Sequence, residues 1–149
     1  MSEYYQISRE EMEEFMVDHG FELVRVDGTL ELVYGKAISG HKDLQIRIYS
    51  SVTLAGCGAR DVGEDAIRVI LWSQEYQKGV GRSARVYRVK GWAENLEKRI
   101  ESVLATAGRL RCGCGGWFVE RQGKFGKFLG CCRYPKCRNT AEARRLEYS

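Results

Sequence analysis

The chain has 149 residues, of which 44% are hydrophobic and 30% are charged, with a single proline and a formal net charge of +4. This length suits one domain, or one small domain followed by a short module, and the regular patterning argues against a disordered chain. No apolar run is long enough to span a bilayer, and no basic-then-apolar leader opens the sequence. We therefore expect a soluble, cytoplasmic protein without a membrane partner.

A helix is predicted near the start of the chain. Ser8 and Glu11 have the spacing of a capping box, and Gly20 is a typical stop residue. Between them, one helical face carries Met12, Phe15, Met16 and His19. On such a face we expect His19 to pack rather than to take part in chemistry.

Strand patterns fill the middle of the chain. Residues 44–52 alternate most clearly, with Gln45, Arg47 and Tyr49 predicted to face away from the core. Asp27 and Gly28 lie between two apolar-rich runs and predict a hairpin turn. The predicted strands span residues 21–26, 30–38, 44–52, 66–72 and 84–90.

A long helix from about residue 91 to 107 is predicted to close this part of the chain, with Gly108 as its end. Its apolar stripe consists of Trp92, Leu96, Ile100, Val103, Leu104 and Ala107. Residues 1–108 are therefore predicted to form an α+β domain. Its mostly antiparallel sheet of about five strands would be flanked by two helices.

Five of the six cysteines lie in the 26 residues from Cys112 to Cys137. Cys112 and Cys114 form one group, and Cys131, Cys132 and Cys137 form a second group after a segment typical of a hairpin. Two cysteine groups joined by a short hairpin meet the requirements of a tetrahedral zinc site, because each tight turn can supply two thiolates. The alternative is a disulfide staple, which is typical of secreted proteins.

The segment between and around the cysteines contains GKFGKFLGC (123–131) and YPKC (134–137). In these motifs above all, residues 112–140 resemble the C-terminal zinc fingers of bacterial type IA DNA topoisomerases. The resemblance implies a small zinc ribbon at 109–149 that binds DNA, chiefly single strands, and carries out no chemistry. By position it implies one structural Zn²⁺ ion held by Cys112, Cys114, Cys131 and Cys137.

One departure from that family leaves the fourth ligand open. The family usually begins with Cys-x-x-Cys, whereas here a single residue, Gly113, separates Cys112 from Cys114. A glycine at that position makes the shorter bend feasible. Cys132 is the alternative fourth ligand.

Positive charge is concentrated in the same segment. Residues 1–108 carry 14 Lys/Arg and 17 Asp/Glu, whereas residues 109–149 carry 10 Lys/Arg and 3 Asp/Glu. Basic residues can neutralise phosphates, and aromatic faces can stack on unpaired bases. The predicted nucleic-acid contacts are Trp117, Arg121, Lys124, Phe125, Lys127, Arg133, Tyr134, Lys136 and Arg138, with Phe118 and Phe128 assigned to packing.

Two further surfaces precede the ribbon. A loop at 53–65 is rich in glycine and charge, and residues 78–90 hold five basic residues and no acidic one: Lys78, Arg82, Arg85, Arg88 and Lys90. With Arg47 and Arg68, these form a candidate basic sheet face that would continue a DNA surface. The alternative is ordinary exposed strand positions that pair with helical glutamates.

Enzyme activity is the less favoured interpretation. His41 lies in a surface-turn sequence, Cys57 has no nearby histidine in sequence, and no catalytic motif occurs. A small metal-dependent nuclease would need carboxylates gathered at one sheet edge, and the candidates are Asp43, Asp61, Glu64 and Asp65. The sequence is also compatible with a single-strand annealing protein that forms oligomers, and with a protein–protein adaptor acting through residues 1–108.

Overall fold

The fold is that of a computed structural model, which describes residues 4–27, 31–51 and 66–142. The predicted loop at 53–65, with Cys57, Asp61, Glu64 and Asp65, lies outside the described residues, as does Gly28 of the predicted turn. The elements in chain order are α1 Arg9–Asp18, β1 Glu22–Asp27, β2 Glu31–Ala37, β3 Leu44–Ser51, β4 Ile67–Ser73, β5 Lys78–Val86, α2 Trp92–Leu110, β6 Phe118–Gly123, β7 Gly126–Cys131 and β8 Thr140–Glu142.

Two antiparallel sheets organise these strands. The larger has the order β1-β2-β3-β4-β5, so each strand pairs with its neighbour in sequence, and β1 and β5 form the edges. The smaller has the order β6-β7-β8. The predicted α+β class, with a five-stranded antiparallel sheet, two helices and a separate C-terminal cysteine-bearing sheet, is confirmed.

Both helices begin and pack as the sequence predicts. The Ser8 hydroxyl accepts from the Glu11 N–H at 3.1 Å, and the Glu11 carboxylate accepts from the Ser8 N–H at 3.3 Å, which completes the capping box. The apolar stripe of α2 is buried against the sheet. The His19 ring stacks on Phe15, with ring centres 3.9 Å apart, so this histidine packs as expected.

Three boundaries differ from prediction by more than one residue. Helix α2 continues past Gly108 to Leu110, because burying Leu110 on the same stripe outweighs the roughly 1 kcal/mol that a helical glycine costs. Strand β5 begins at Lys78 rather than at residue 84, and it ends at Val86. Its first half contains two glycines and one buried residue, Val80, so it lacks the alternation by which strands are recognised.

The smaller sheet shares the core of the larger one. A single cluster of buried side chains runs from α1 through the large sheet and α2 into Cys112, Trp117, Phe118 and Leu129. We call residues 109–142, with their two cysteine turns and three strands, the ribbon. The apolar side chains of the ribbon pack against the rest of the core, so the ribbon is held to the large sheet by packing and not only by the connecting chain.

Asp43 anchors this junction. Its carboxylate accepts hydrogen bonds from the indole Nε1–H of Trp117 at 2.8 Å, the Ser73 hydroxyl at 2.6 Å and the Glu75 backbone N–H at 2.7 Å. Burial acts to raise the pKa of Asp43, but these hydrogen bonds together outweigh it and hold that pKa below its usual value. The ionised carboxylate is therefore part of the folded structure.

Replacing Asp43 by alanine should destabilise the whole protein. The change leaves the Trp117 indole, the Ser73 hydroxyl and the Glu75 N–H without their acceptor, at a cost of about 3 kcal/mol in the free energy of unfolding. Because the folded pKa lies below the unfolded value of about 3.9, the contribution is present at neutral pH and is lost as the pH falls below about 4. Urea denaturation of wild type and Asp43→Ala at several pH values measures both effects.

The matched control is Asp18→Ala, which removes an exposed aspartate at the end of α1 and should change stability by less than about 0.5 kcal/mol. Equal stability of Asp43→Ala and Asp18→Ala at pH 7 would contradict the anchoring role.

Candidate metal centre and nucleic-acid interface

The first cysteine turn is a tight loop after helix α2. The Gly115 N–H donates to the Cys112 carbonyl at 3.0 Å, and the Cys112 N–H donates to the Gly116 carbonyl at 3.1 Å. Gly115 has a φ of 94°, a conformation that only glycine adopts at no steric cost. The bend therefore depends on Gly115, whereas Gly113, the residue predicted to allow it, has no positive φ.

The second cysteine turn follows strand β7. The Tyr134 N–H donates to the Cys131 carbonyl at 3.2 Å, and the Cys137 N–H donates to the Arg133 carbonyl at 3.3 Å. These bonds curl the chain so that Cys131 and Cys137 both direct their sulfurs toward the first turn.

Four thiols meet between the two turns. The Sγ atoms of Cys112, Cys114, Cys131 and Cys137 all lie within 4.8 Å of one another, with 3.4 Å between Cys114 and Cys131 and 3.7 Å between Cys112 and Cys137. A tetrahedral zinc site with Zn–S bonds of about 2.3 Å has S–S edges of about 3.8 Å. The residues therefore fit one Zn²⁺ ion bound by four thiolates, and the five cysteines in the described ranges are free of disulfides.

Cys112 completes the metal cluster, and Cys132 is outside it. N–H groups donate to three of the sulfurs at 3.3 to 3.5 Å: the Gly116 N–H to Cys114 at 3.4 Å, the Arg133 N–H to Cys131 at 3.5 Å, and the Asn139 side-chain amide to Cys112 at 3.3 Å. Such donors stabilise thiolate charge and orient the ligands.

The pKa values of the Cys112 and Cys131 thiols are shifted in opposite directions. Burial acts to raise the pKa of Cys112, but the Cys114 backbone N–H, the Asn139 amide and the neighbouring thiols lower it to about 6. Burial, together with hydrogen bonds to the neighbouring thiols, raises the pKa of Cys131, and the Arg133 N–H offsets this only in part. Metal binding must therefore release protons, and the affinity for metal falls as the pH is lowered.

Trp117 does not have the role predicted for it. The side chain is 2% exposed, its indole N–H is bonded to Asp43, and the Tyr76 ring meets it edge-on at 6.1 Å between ring centres. It was predicted to stack on bases, and that prediction is wrong because its large apolar surface is needed where the ribbon meets the sheet. Phe118, predicted to pack, is buried.

Two other aromatic residues of the ribbon are exposed. Phe125 is 98% exposed in the two-residue loop between β6 and β7, and Tyr134 is 60% exposed in the second cysteine turn. The Lys124 ammonium lies 5.9 Å from the centre of the Phe125 ring. Phe128 is half-buried on the outer face of β7.

Arg121 and Phe128 lie flat on that outer face because glycines leave room for them. A Cβ at Gly130 would approach the Arg121 side chain to 2.8 Å, and one at Gly123 would approach the Phe128 ring to 3.0 Å. The Arg121 guanidinium donates to the Cys131 carbonyl at 3.2 Å and lies 5.8 Å from the centre of the Tyr134 ring. Because the glycines of the GKFGKFLGC motif have no side chains, the aromatic and guanidinium groups form a flat surface on this face.

The remaining predicted basic contacts are exposed. Lys127 forms an ion pair with Glu120 at 3.1 Å, so its charge is partly compensated. The exposed side chains with no acidic partner among the described residues are Lys124, Arg133, Lys136 and Arg138.

The predicted basic sheet face is smaller than expected. Arg47, predicted to face solvent, is buried with its guanidinium 4.5 Å from the centre of the Trp72 ring, and Arg88 is buried with a bond to the Ser50 hydroxyl at 2.9 Å. Arg82 and Arg85 of β5 are exposed.

The residues weighed for catalysis have structural roles where the structure describes them. His41 bonds the Ala107 carbonyl at 2.6 Å and holds its loop on α2. Asp43, a nuclease candidate, has its carboxylate taken up by Trp117, Ser73 and the Glu75 N–H.

Sequence reasoning missed three contributors: Asp43 as the anchor, Tyr76 against Trp117, and Asn139 beside Cys112. Of these, only Asn139 is close in sequence to the residue it supports, since it lies two residues after the ligand Cys137, and it could have been proposed from the sequence.

Comparison with known proteins agrees with this geometry. Residues 112–145 match the family described as the topoisomerase DNA-binding C4 zinc finger, which is less than a quarter of the chain. A search of curated proteins and a search of solved structures returned no significant match. The ribbon is therefore similar to a DNA-binding zinc finger, and the rest of the chain has no recognised relative in these comparisons. Neither described helix is apolar over enough of its length to cross a membrane.

Substitution of single cysteines tests the ligand set. Cys114→Ser and Cys131→Ser should each lose zinc on dialysis, because three thiolates and a hydroxyl bind the ion far more weakly than four thiolates. Cys132→Ser is the matched control and should retain one zinc per chain. Asn139→Ala should retain zinc but bind it about tenfold more weakly, because it loses one donor to sulfur.

Zinc content by elemental analysis, and competition with a chromophoric chelator, give the readouts. Loss of zinc from Cys132→Ser, or its full retention by Cys131→Ser, would show that the cluster is assigned wrongly.

Proposed function

We propose that the protein binds single-stranded DNA through the ribbon and serves as a non-catalytic accessory in DNA metabolism, in replication, recombination or repair. The observation that carries this proposal is the position of Phe125, fully exposed at the hairpin tip beside Lys124.

Phe125 makes no contribution to the core. A phenylalanine that is 98% exposed leaves its apolar surface in water, so burial cannot explain it. A base stacked on such a ring is worth ~1–3 kcal/mol, and every base offers a face for stacking. The hairpin loop holds the ring away from the sheet, where a base can reach it.

Tyr134 and Arg121 offer a second stacking position. The Tyr134 ring is exposed, and the Arg121 guanidinium beside it is fixed by its bond to the Cys131 carbonyl. Arginine planes and aromatic rings both stack on unpaired bases. Because these groups lie on the second cysteine turn and on β6, metal binding fixes their arrangement.

The exposed ring favours single strands over duplex. Bases in a duplex are already stacked on each other and present only their edges in the grooves. A ring at a hairpin tip can stack only on a base that is unpaired or flipped out, and unpaired bases carry no opening cost. The exposed basic residues of the ribbon supply the phosphate contacts.

The zinc ion has a structural role in this proposal. Four thiolates fill its tetrahedral coordination, so no position remains for water or substrate. The ion fixes the two cysteine turns, and the side chains that they and the hairpin carry make the contacts with DNA.

Anisotropy of a labelled single-stranded oligonucleotide tests the proposal with the full-length chain, because a truncation at residue 108 would cut helix α2 and uncover its core. Phe125→Ala should weaken binding by about tenfold, the loss of one stacked base. Lys124→Gln should lower the slope of log K against log salt by about 0.7, the loss of one phosphate contact.

Tyr5→Ala is the control, since it removes a partly exposed aromatic residue (37%, against 98% for Phe125) from the other end of the chain and should leave binding unchanged. Equal affinity of Phe125→Ala and Tyr5→Ala would refute the stacking role. Negligible binding by wild type at low salt would instead favour a protein–protein adaptor.

A further inference from the structure

A small pocket between strand β5 and helix α2 has the side chains of an anion site. Its volume is about 160 Å³, and its polar lining consists of two arginines and two serines from two elements. Arg82 and Ser83 come from β5, and Arg99 and Ser102, three residues apart on one face of α2, come from the helix. Two guanidinium groups and two hydroxyls are the donor set that a phosphate group requires.

The β5 residues that line the pocket lie at or beside a bulge in the strand. Val69 pairs with Ala84 and Leu71 pairs with Val80, so residues 81–83 lie opposite Ile70 alone. Gly81, with a φ of 73°, allows the local turn of the chain. Bulges on edge strands redirect side chains and are common beside functional sites.

The two arginines of this pocket, Arg82 and Arg99, form no ion pair with an acidic side chain of residues 4–27, 31–51 or 66–142. Both side chains are exposed. Their charges are therefore available to a ligand from solution.

The same strand leads from this pocket to the ribbon. A second cleft, of about 200 Å³, has residues 78–81 of β5 on one side and residues 117–120 of the ribbon on the other. Glu120, the acidic residue of its lining, is paired with Lys127, which offsets its charge. Lys78 at this cleft and Arg82 at the pocket are four residues apart on the same strand.

We infer that β5 and α2 carry a second phosphate-binding surface, formed by Lys78, Arg82 and Arg99, which holds the backbone of a single strand as it leaves the ribbon. This inference rests on the proposed function of the ribbon. It assigns to the α+β part of the chain a share in binding: the ribbon stacks on bases, and the β5 surface holds the phosphates that follow.

Oligonucleotide length separates the two surfaces. A strand of about 6 nucleotides can occupy the ribbon alone, whereas one of about 20 can reach both. In the double variant Arg82→Gln/Arg99→Gln, affinity for the short strand should be unchanged. Affinity for the long strand should fall about tenfold, and its salt slope should fall by about 1.4, the loss of two single-strand phosphate contacts.

Arg9→Gln/Lys98→Gln is the control, because it removes the same charge from exposed positions that line neither cleft. Arg82→Lys/Arg99→Lys keeps the charge and should retain most of the salt slope while it loses bidentate contacts. Equal thermal midpoints and zinc contents for all variants establish that each is folded.

If Arg82→Gln/Arg99→Gln binds the long strand as tightly as the control does, the inference is overturned. If Phe125→Ala has no effect on either length while Arg82→Gln/Arg99→Gln weakens the long strand, the ribbon proposal fails and the β5 surface stands. If wild type binds neither length, both are overturned.

Discussion

The indole of Trp117 is buried between the two sheets, with its N–H on the carboxylate of Asp43, and the arrangement of the molecule depends on this contact. Trp117 follows the first cysteine turn directly, and the Cys132 N–H of the second turn donates to its carbonyl at 2.9 Å. The residue that anchors the ribbon is thus bonded to both turns that hold the metal. Metal affinity and the stability of the α+β core are therefore linked, because each favours the same position of the Trp117 backbone.

This contact also determines which aromatic residues remain for DNA. A three-stranded sheet with two cysteine turns is too small to form a core by itself, so its inner face takes Trp117, Phe118 and Leu129 for packing on α2 and the large sheet. Phe125, at the hairpin tip, and Tyr134, in the second turn, lie beyond the reach of that core. Their exposure follows from the fold, and the proposed stacking on bases depends on it.

The features predicted correctly from the sequence are those that depend on residues close together in the chain. The capping box of α1, the alternation of β3 and the apolar stripe of α2 each depend on residues a few positions apart, so the period or spacing carried the physical constraint. The set of cysteine ligands came from the resemblance to the topoisomerase zinc fingers, with Cys112 and Cys132 both open as the fourth ligand. The structure brings Cys112, Cys114, Cys131 and Cys137 together.

The features missed depend on partners far apart in the chain. Asp43 and Trp117 are separated by 74 residues, and nothing near either residue indicates the other. The early start of β5 was missed because Gly79 and Gly81 break the alternation of a strand that is held by its pairing with β4. At the Asp43–Trp117 contact and at the start of β5, tertiary contacts outweighed the local sequence pattern. The ribbon joins the large sheet at the first of these, and the candidate phosphate surface lies at the second.

The ribbon and the β5 surface are both rich in basic residues. Residues 1–108 are acidic on balance, yet their described acidic side chains are concentrated on α1 and on the outward side of α2, while β5 carries basic residues and no acidic one. Helix α1 carries five acidic residues and one basic residue, whereas α2 carries three of each, with Arg99 among the basic ones. In the proposed arrangement, a phosphate backbone that follows β5 from the ribbon therefore meets basic side chains, whereas one that crosses α1 meets carboxylates.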